Sequence, residues 1–311
     1  MQALANINGN ISTLEEAKIS ITDRGFLYGD SVYEVLRTYN GIPFYEKEHF
    51  DRLENSARLA LMVPSQSRKF LQEEIRKTVQ AAAPAGNEDV FVRYTITRGS
   101  GPLDLDPSTA INTNYVILVK AIHQWNPRYY SEGVRLAIPP TRRNSPLALD
   151  PNIKSGNYLN NIIAVAEAKK LGADDALFLS IEGKLTEASN SNITLIINGE
   201  LHSPLHETGT STGNLNGITQ NIIKKLATKV GLSSINRPLA VDDIKNAQEC
   251  IVSSATREVM PVSEIQLEDG GIHKFPAGGG QVTKKLQKAY QEHIEEYKIL
   301  FQKNAYFSWM K

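Results

Sequence analysis

Helical and extended patterns alternate along this chain without ever settling into a strict strand–helix–strand rhythm. That order excludes a doubly wound parallel sheet and predicts an α+β fold. Residues 17–53, AKISITDRGFLYGDSVYEVLRTYNGIPFYEKEHFDRL, read as short strands with a hairpin turning at Asn40–Gly41, a pair suited to positive φ. Residues 47–62, KEHFDRLENSARLALM, carry Phe50, Leu53, Ala57 and Leu61 along one helical stripe, and a second helix spans about 67–82 before Pro84 and Gly86. DVFVRYTITRG (89–99) and NYVILVKAI (114–122) are β-rich. The composition then shifts at HQWNPRYYSEG, which divides the chain into a small N-terminal domain (1–122), a linker (123–133) and a larger C-terminal domain (134–311). Beyond the linker come a strand at VRLAIPP, a helix over about 157–171 stopped by Gly172, and strands DALFLS and NITLIIN. A polar loop (203–216), the helix ITQNIIKKLATKV closed by Gly231, a strand at ECIVSS and a long final helix from Thr283 to Gln302 complete the chain. The glycines of PAGGGQVTKK (276–285) lack the Gly-Lys-Ser/Thr ending of a phosphate-cradling loop and read as the cap of that helix.

Composition narrows the function classes. Lys plus Arg and Asp plus Glu number 34 each, so no net charge draws the chain to nucleic acid or an anionic membrane. The one cysteine, Cys250, sits in an apolar run and cannot form an internal disulfide, which fits a reducing, cytoplasmic setting. No stretch approaches the roughly 20 apolar residues of a membrane helix. His202 and His206 stand four apart, a metal-ligand spacing on a helix, but Pro204 and its turn-forming neighbours argue against a helix there, and no metal is expected.

One lysine stands out. In NIKSGNYLNN (152–161) Lys154 lies among small and amide residues, with no acid in the five positions after it. Lysine becomes a nucleophile toward carbonyls when burial or a nearby cation disfavours its ammonium form. Pro151 and Ile153 before it, and Ser155, Gly156 and Asn157 at a helix start after it, suit a partly desolvated amine. GKLTEASNSNITLI (183–196) places Glu187 between a strand and an amide-rich turn. In NLNGITQNIIKKLA, Gly217 opens a helix whose first residues, Ile218 and Thr219, offer free backbone N–H groups, a ready anion site.

Lysine, then glutamate, then Gly-Ile-Thr, carried by IKSGNYLNNIIAVAEAKKLGADDALFL, LTEASNSNI and NGITQNIIKKLA, resembles the class IV aminotransferases, and the branched-chain members in particular. The likeness runs over about residues 6–290. It implies the two-domain fold of type IV pyridoxal 5′-phosphate enzymes and a homodimer acting on small amino acids and 2-oxo acids. By the same resemblance Lys154 is the catalytic residue, which carries the cofactor as a Schiff base and shuttles the substrate proton. Glu187 then faces the pyridine nitrogen, Tyr158 the phenolate oxygen and Arg52 the phosphate. Gly217, Ile218 and Thr219 complete the phosphate cup, and Ser254, Ala255 and Thr256 form the loop that adds further donors to the phosphate or the substrate carboxylate.

Substrate choice rests on fewer residues. In VYEVLRTY alternate side chains share a face, so Tyr33, Val35 and Arg37 stand together. The resemblance makes that face part of the substrate pocket, with Arg37 able to meet a distal carboxylate. Phe91 stands where the branched-chain group has a pocket tyrosine, Arg257 is a second possible carboxylate anchor, and Tyr28 reaches toward a neighbouring subunit's pocket. ITRGSGPLDLDP (96–107) follows the branched-chain pattern, whereas Tyr33-Glu34-Val35 follows the D-amino acid group. Transamination between a hydrophobic amino acid and 2-oxoglutarate is therefore expected. D-amino acid or (R)-amine transamination and the aminodeoxychorismate lyase reaction remain as alternatives.

Overall fold

The computed structural model describes residues 1–83, 88–206 and 211–305. Pro84, Gly86, part of the loop 203–216 and the aromatic tail Tyr306, Phe307 and Trp309 lie outside them. The chain divides into two units. The first holds residues 1–123, the short segment Ile153–Asn157 and the chain from Ile294 onward; the second holds Gln124–Asn152 and Tyr158–His293. Residues 124–133, expected as a linker, thus belong to the second unit, and the lysine segment, expected in the C-terminal domain, belongs to the first.

The first unit is built from β1 (Leu4–Ile7), β2 (Asn10–Thr13), α1 (Arg24–Tyr28), β3 (Ser31–Tyr39), β4 (Ile42–Pro43), α2 (Glu46–Leu59), α3 (Arg68–Ala81), β5 (Val90–Thr97) and β6 (Asn114–Ala121). Its strands form one antiparallel sheet in the order β2-β1-β6-β5-β3-β4. Val32 and Leu36 of β3, Val90, Val92, Tyr94 and Ile96 of β5, and Ile117 and Val119 of β6 bury one face, and Phe50 and Leu53 of α2 and Ile75 and Val79 of α3 cover it. The turn between β3 and β4 is the expected one: Asn40 and Gly41 both take positive φ, 53° and 72°. Leu61 departs from the expected stripe because α2 ends two residues earlier; Leu61 turns to φ 51° and is 84% exposed.

The second unit contains α4 (Arg128–Ser131), β7 (Val134–Ala137), α5 (Leu159–Lys170), β8 (Asp175–Leu179), β9 (Leu185–Ala188), β10 (Asn192–Ile197), β11 (Glu200–Ser203), α6 (Ile218–Lys229), β12 (Ser234–Asn236), α7 (Val241–Asn246), β13 (Glu249–Ser254), β14 (Glu258–Gln266), β15 (Ile272–Lys274) and most of α8 (Gln281–Leu300). The strands run β12-β11-β10-β13-β14-β7-β8-β9, and β9 pairs back onto β10, so that six of them close on themselves. Closure removes exposed sheet edges and leaves an interior for side chains to fill. Leu136, Leu177, Leu179, Leu185, Ile193, Leu195, Val252, Met260 and Val262 belong to the buried cluster that results. Alanines allow a close approach of α5, with Ala164 and Ala168 meeting Ala137, Ala176 and Phe178. The glycine run 278–280 leads into α8, whose first N–H groups, from Val282 and Thr283, donate to the buried Glu249 carboxylate. A side chain at Gly280 would collide with that carboxylate.

No helix among the described residues is long and apolar enough to cross a membrane.

Candidate active site

In the first unit the lysine segment joins the sheet. Ser155 bridges Val32, Tyr33 N–H donates to the Lys154 carbonyl (2.9 Å), and Gly156 N–H donates to the Ser31 carbonyl (2.9 Å). A side chain at Gly156 would meet the Ser31 hydroxyl, which would have to turn away to admit it. Lys154 N–H donates to Ser56 Oγ on α2 (3.1 Å), one turn beyond Arg52. The Lys154 main chain is thereby fixed on a strand and a helix, and its Nζ lies 4.6 Å from the centre of the Tyr33 ring.

The register of β3 against β5 pairs Tyr33 with Thr95, Val35 with Arg93 and Arg37 with Phe91. Tyr33, Val35, Arg37, Phe91 and Arg93 therefore share the sheet face opposite the apolar core. Arg93 lies 3.7 Å from the Tyr33 ring centre and Arg37 4.1 Å from that of Tyr39. Arg93 was not singled out from sequence, although it alternates in step with Phe91 in FVRY. Phe91 has Lys120 over its ring at 5.1 Å, and Tyr28, the last residue of α1, is 40% exposed with Arg24 5.5 Å from its ring centre.

Arg52 is half-buried and points at a fully buried carboxylate. Its Nε and Nη2 donate to the two oxygens of Glu34 (2.6 and 3.0 Å), and His49 Nδ1 lies 2.7 Å from the same carboxylate. Burial works to raise the Glu34 carboxyl, but the Arg52 guanidinium and His49 outweigh it and hold the group well below the usual carboxylate range. Glu34 orients Arg52, a role that its place in the Tyr33–Val35 run did not disclose.

In the second unit Glu187 lies on β9, where it pairs with Asn192 across the closing hairpin. One Glu187 oxygen accepts from Arg143 Nη2 (3.0 Å) and the other from the Leu215 N–H (3.0 Å). Arg143 also donates to Asn161 Oδ1 (3.2 Å) and the Gly213 carbonyl (3.1 Å). Arg143 had gone unnoticed in TRRN, though a buried acid calls for a cation somewhere in the chain. Asn192 donates to the Leu215 carbonyl (2.8 Å), and its amide fills the space that a Gly217 side chain would need. Gly217 is the N-cap of α6, and no side chain caps the helix start at Ile218 and Thr219. Asn192 also pairs with Ser253, which brings the Ser254–Thr256 turn to the same end of the strands. Tyr158 is the N-cap of α5 and is half-buried.

Arg257 faces inward and is 5% exposed. Its Nη2 donates to Asp175 Oδ2 (2.8 Å) and Asn190 Oδ1 (3.1 Å), and its guanidinium carbon lies 4.5 Å from the centre of the Trp125 ring. His202 lies on β11 and accepts at Nδ1 from Arg237 Nε (3.0 Å), away from any helix.

Each unit, taken by itself, holds groups that suit an anionic aldehyde cofactor. The first offers a positioned primary amine and a half-buried arginine, and the second an acid beside an uncapped helix start. The family model for class IV amino-transferases matches residues 31–265, which hold all these groups but Tyr28. The chain belongs to the class IV aminotransferases. It is a pyridoxal-phosphate-dependent transaminase of fold type IV. A putative branched-chain-amino-acid aminotransferase from Methanocaldococcus jannaschii is 32% identical to this class IV aminotransferase, over 92% of this chain and 94% of its own. A D-alanine aminotransferase from Staphylococcus epidermidis is 29% identical over 94% and 98%. The solved branched-chain aminotransferase from Thermoproteus uzoniensis with norvaline superposes with a TM-score of 0.82 at 26% identity, covering 98% of this chain and 97% of that one.

Proposed function

We propose that this aminotransferase moves an amino group between a hydrophobic, branched-chain-like amino acid and 2-oxoglutarate. The β3–β5 face carries the reading. Tyr33, Val35 and Phe91 offer apolar surface for an aliphatic side chain, while Arg37 and Arg93 on the same face suit the distal carboxylate of a dicarboxylic partner. The Methanocaldococcus relative supports it.

When bound, pyridoxal phosphate supplies an electron sink for the charge left on the substrate Cα. Lys154 is the residue that anchors it, and Lys154 Nζ takes and returns the Cα proton. Glu187, braced by Arg143 and the Leu215 N–H, would hold the ring nitrogen positive, and Tyr158 would donate to the phenolate oxygen. Arg52, the N–H groups of Ile218 and Thr219 behind Gly217, and the Ser254, Ala255 and Thr256 turn would hold the phosphate.

A second reading, D-amino acid transamination, is favoured by Val35 and by the Staphylococcus relatives. A panel of L-leucine, L-valine, D-alanine and (R)-1-phenylethylamine, each with 2-oxoglutarate or pyruvate, separates the two by the keto product. Turnover of L-leucine with 2-oxoglutarate is the expected result. Turnover confined to D-alanine would overturn it, and pyruvate release from aminodeoxychorismate would assign the lyase reaction instead. Arg37→Ala and Arg93→Ala should each raise KM for 2-oxoglutarate more than for pyruvate.

A homodimer also follows from this reading. Ile21 just before α1, Phe26 within it, and Leu103 and Leu105 on the loop that Arg24 ties to α1 through the Asp104 carbonyl (2.9 Å), are apolar and exposed in one chain. A second copy is the occupant that would cover them, and light scattering of the purified protein tests it.

A further inference from the structure

We infer that Arg257 is a positioning residue: it clamps the turn Ser254–Thr256 to the body of the second unit, and it does not meet the substrate. The inference rests on the assignment of that turn to the cofactor phosphate.

Three sets of contacts carry it. The first concerns the guanidinium itself. Arg257 is 5% exposed and Asp175, its partner at the start of β8, is 3% exposed. Swinging the arginine out toward a substrate carboxylate would leave the Asp175 carboxylate buried without its cation, which disfavours that movement strongly. Its place over the Trp125 ring adds a second restraint.

The second set concerns the turn's own backbone. Arg257 N–H donates to the Ser254 carbonyl (3.2 Å) and lies 3.3 Å from Ser254 Oγ. Trp125 Nε1–H donates to the Thr256 carbonyl (2.9 Å), and the Tyr130 hydroxyl donates to the Arg257 carbonyl (3.2 Å). Three carbonyls in four residues are thus committed. Because a trans peptide sets its C=O and N–H on opposite sides, tying the Ser254 carbonyl to Arg257 N–H turns the Ala255 N–H away from the turn's interior. Fixed N–H donors are what an anion site requires.

The third set is the link to Asn190. That residue lies three positions after Glu187 in the turn between β9 and β10, and its Oδ1 accepts from the same Nη2 that serves Asp175. One buried cation therefore spaces the 254–257 turn against the hairpin that carries Glu187. A lysine would lack the delocalised guanidinium that stays over the indole ring while its Nη2 serves both acceptors.

The test is titration of the apo-protein with pyridoxal phosphate, followed by absorbance, together with kcat and KM for the amino donor at saturating cofactor. Trp125→Phe keeps a ring under the guanidinium and removes only the indole donor, so it should weaken cofactor binding by roughly two- to tenfold. Asp175→Asn and Arg257→Gln should weaken it by about tenfold or more, with donor KM nearly unchanged once cofactor saturates. If Arg257 instead anchors substrate, Arg257→Gln raises donor KM and leaves cofactor affinity alone, while Asp175→Asn frees the cation and lowers donor KM; that pattern overturns the inference. Unchanged cofactor affinity in Trp125→Phe also overturns it, and this variant decides alone should the charge variants fail to fold. Wild-type protein that takes up no pyridoxal phosphate would overturn the cofactor assignment rather than the clamp.

Discussion

Replacing Glu34 with Gln removes one charge from the first unit's interior while keeping size and shape. The wild-type carboxylate is fully buried and receives His49 Nδ1 at 2.7 Å and Arg52 Nε and Nη2 at 2.6 and 3.0 Å. A glutamine presents one oxygen and one NH2 group to the same three donors, so at least one N–H meets another N–H. Breaking one partner of a buried charge pair costs about 3–5 kcal/mol, a large share of the ~5–15 kcal/mol that holds a domain together. For a unit of this size that corresponds to a fall in Tm on the order of 10 °C. The pH dependence has a definite sign. Because the folded carboxyl titrates below its ordinary value of 4.5, the stabilisation is complete above pH 4.5 and is lost as the pH falls further toward the folded value. Calorimetry of wild type and Glu34→Gln at several pH values from about 3 to 8 reads both effects. The gap should be constant from about pH 5.5 to 8 and should shrink below about pH 4.5. Equal Tm values at neutral pH, or a gap that stays the same size at about pH 3, would refute the account of Glu34 as the anion that orients Arg52.

Two other substitutions probe the second unit. In Gly217→Ala the new methyl group collides with the Asn192 amide that fastens the Leu215 carbonyl, so stability should fall by about 1–3 kcal/mol and pyridoxal phosphate should bind more weakly. Adding Asn192→Ala should restore part of the cofactor affinity, and a single variant indistinguishable from wild type in both measurements would contradict the close approach. Burial pushes the Lys224 amine on α6 down to about 8, so its charged form costs stability below pH 8 and the cost is relieved between pH 8 and the ordinary 10.5. Lys224→Met should therefore stabilise the protein at neutral pH by on the order of 1–2 kcal/mol, and urea unfolding should find the gain fading above about pH 8. A gain that grew with pH would have the wrong sign.

Where a short stretch carries its own signal, sequence alone was enough. The Asn40–Gly41 turn, the start of α6 at Gly217 and the isolation of Lys154 among small residues are each set by residues within a few positions of one another, because φ preference, helix capping and local charge act over that range. β14 illustrates the opposite case. Pro261 stands inside it, and a proline within a run argues against a strand. The fold accommodates it by pairing Pro261 with Ile251 on one side and beginning the pairing with β7 only at Val262. β1 and β2 were equally silent, being four residues each and too short to show a period.

Residue types and their order along the chain thus determined the family, the cofactor chemistry and the outline of α+β architecture. Tertiary structure decided which charges answer one another: Glu34 orients Arg52, Arg143 braces Glu187, and Arg257 turns inward to Asp175, 82 residues away. It also decided that β9 closes onto β10, which sets Glu187 beside Asn192 and Asn192 against Gly217. The physical reason is the range of the forces involved. Backbone preference is local, whereas a buried charge selects its partner only after burial has removed water as the competing one, and no linear spacing records that choice.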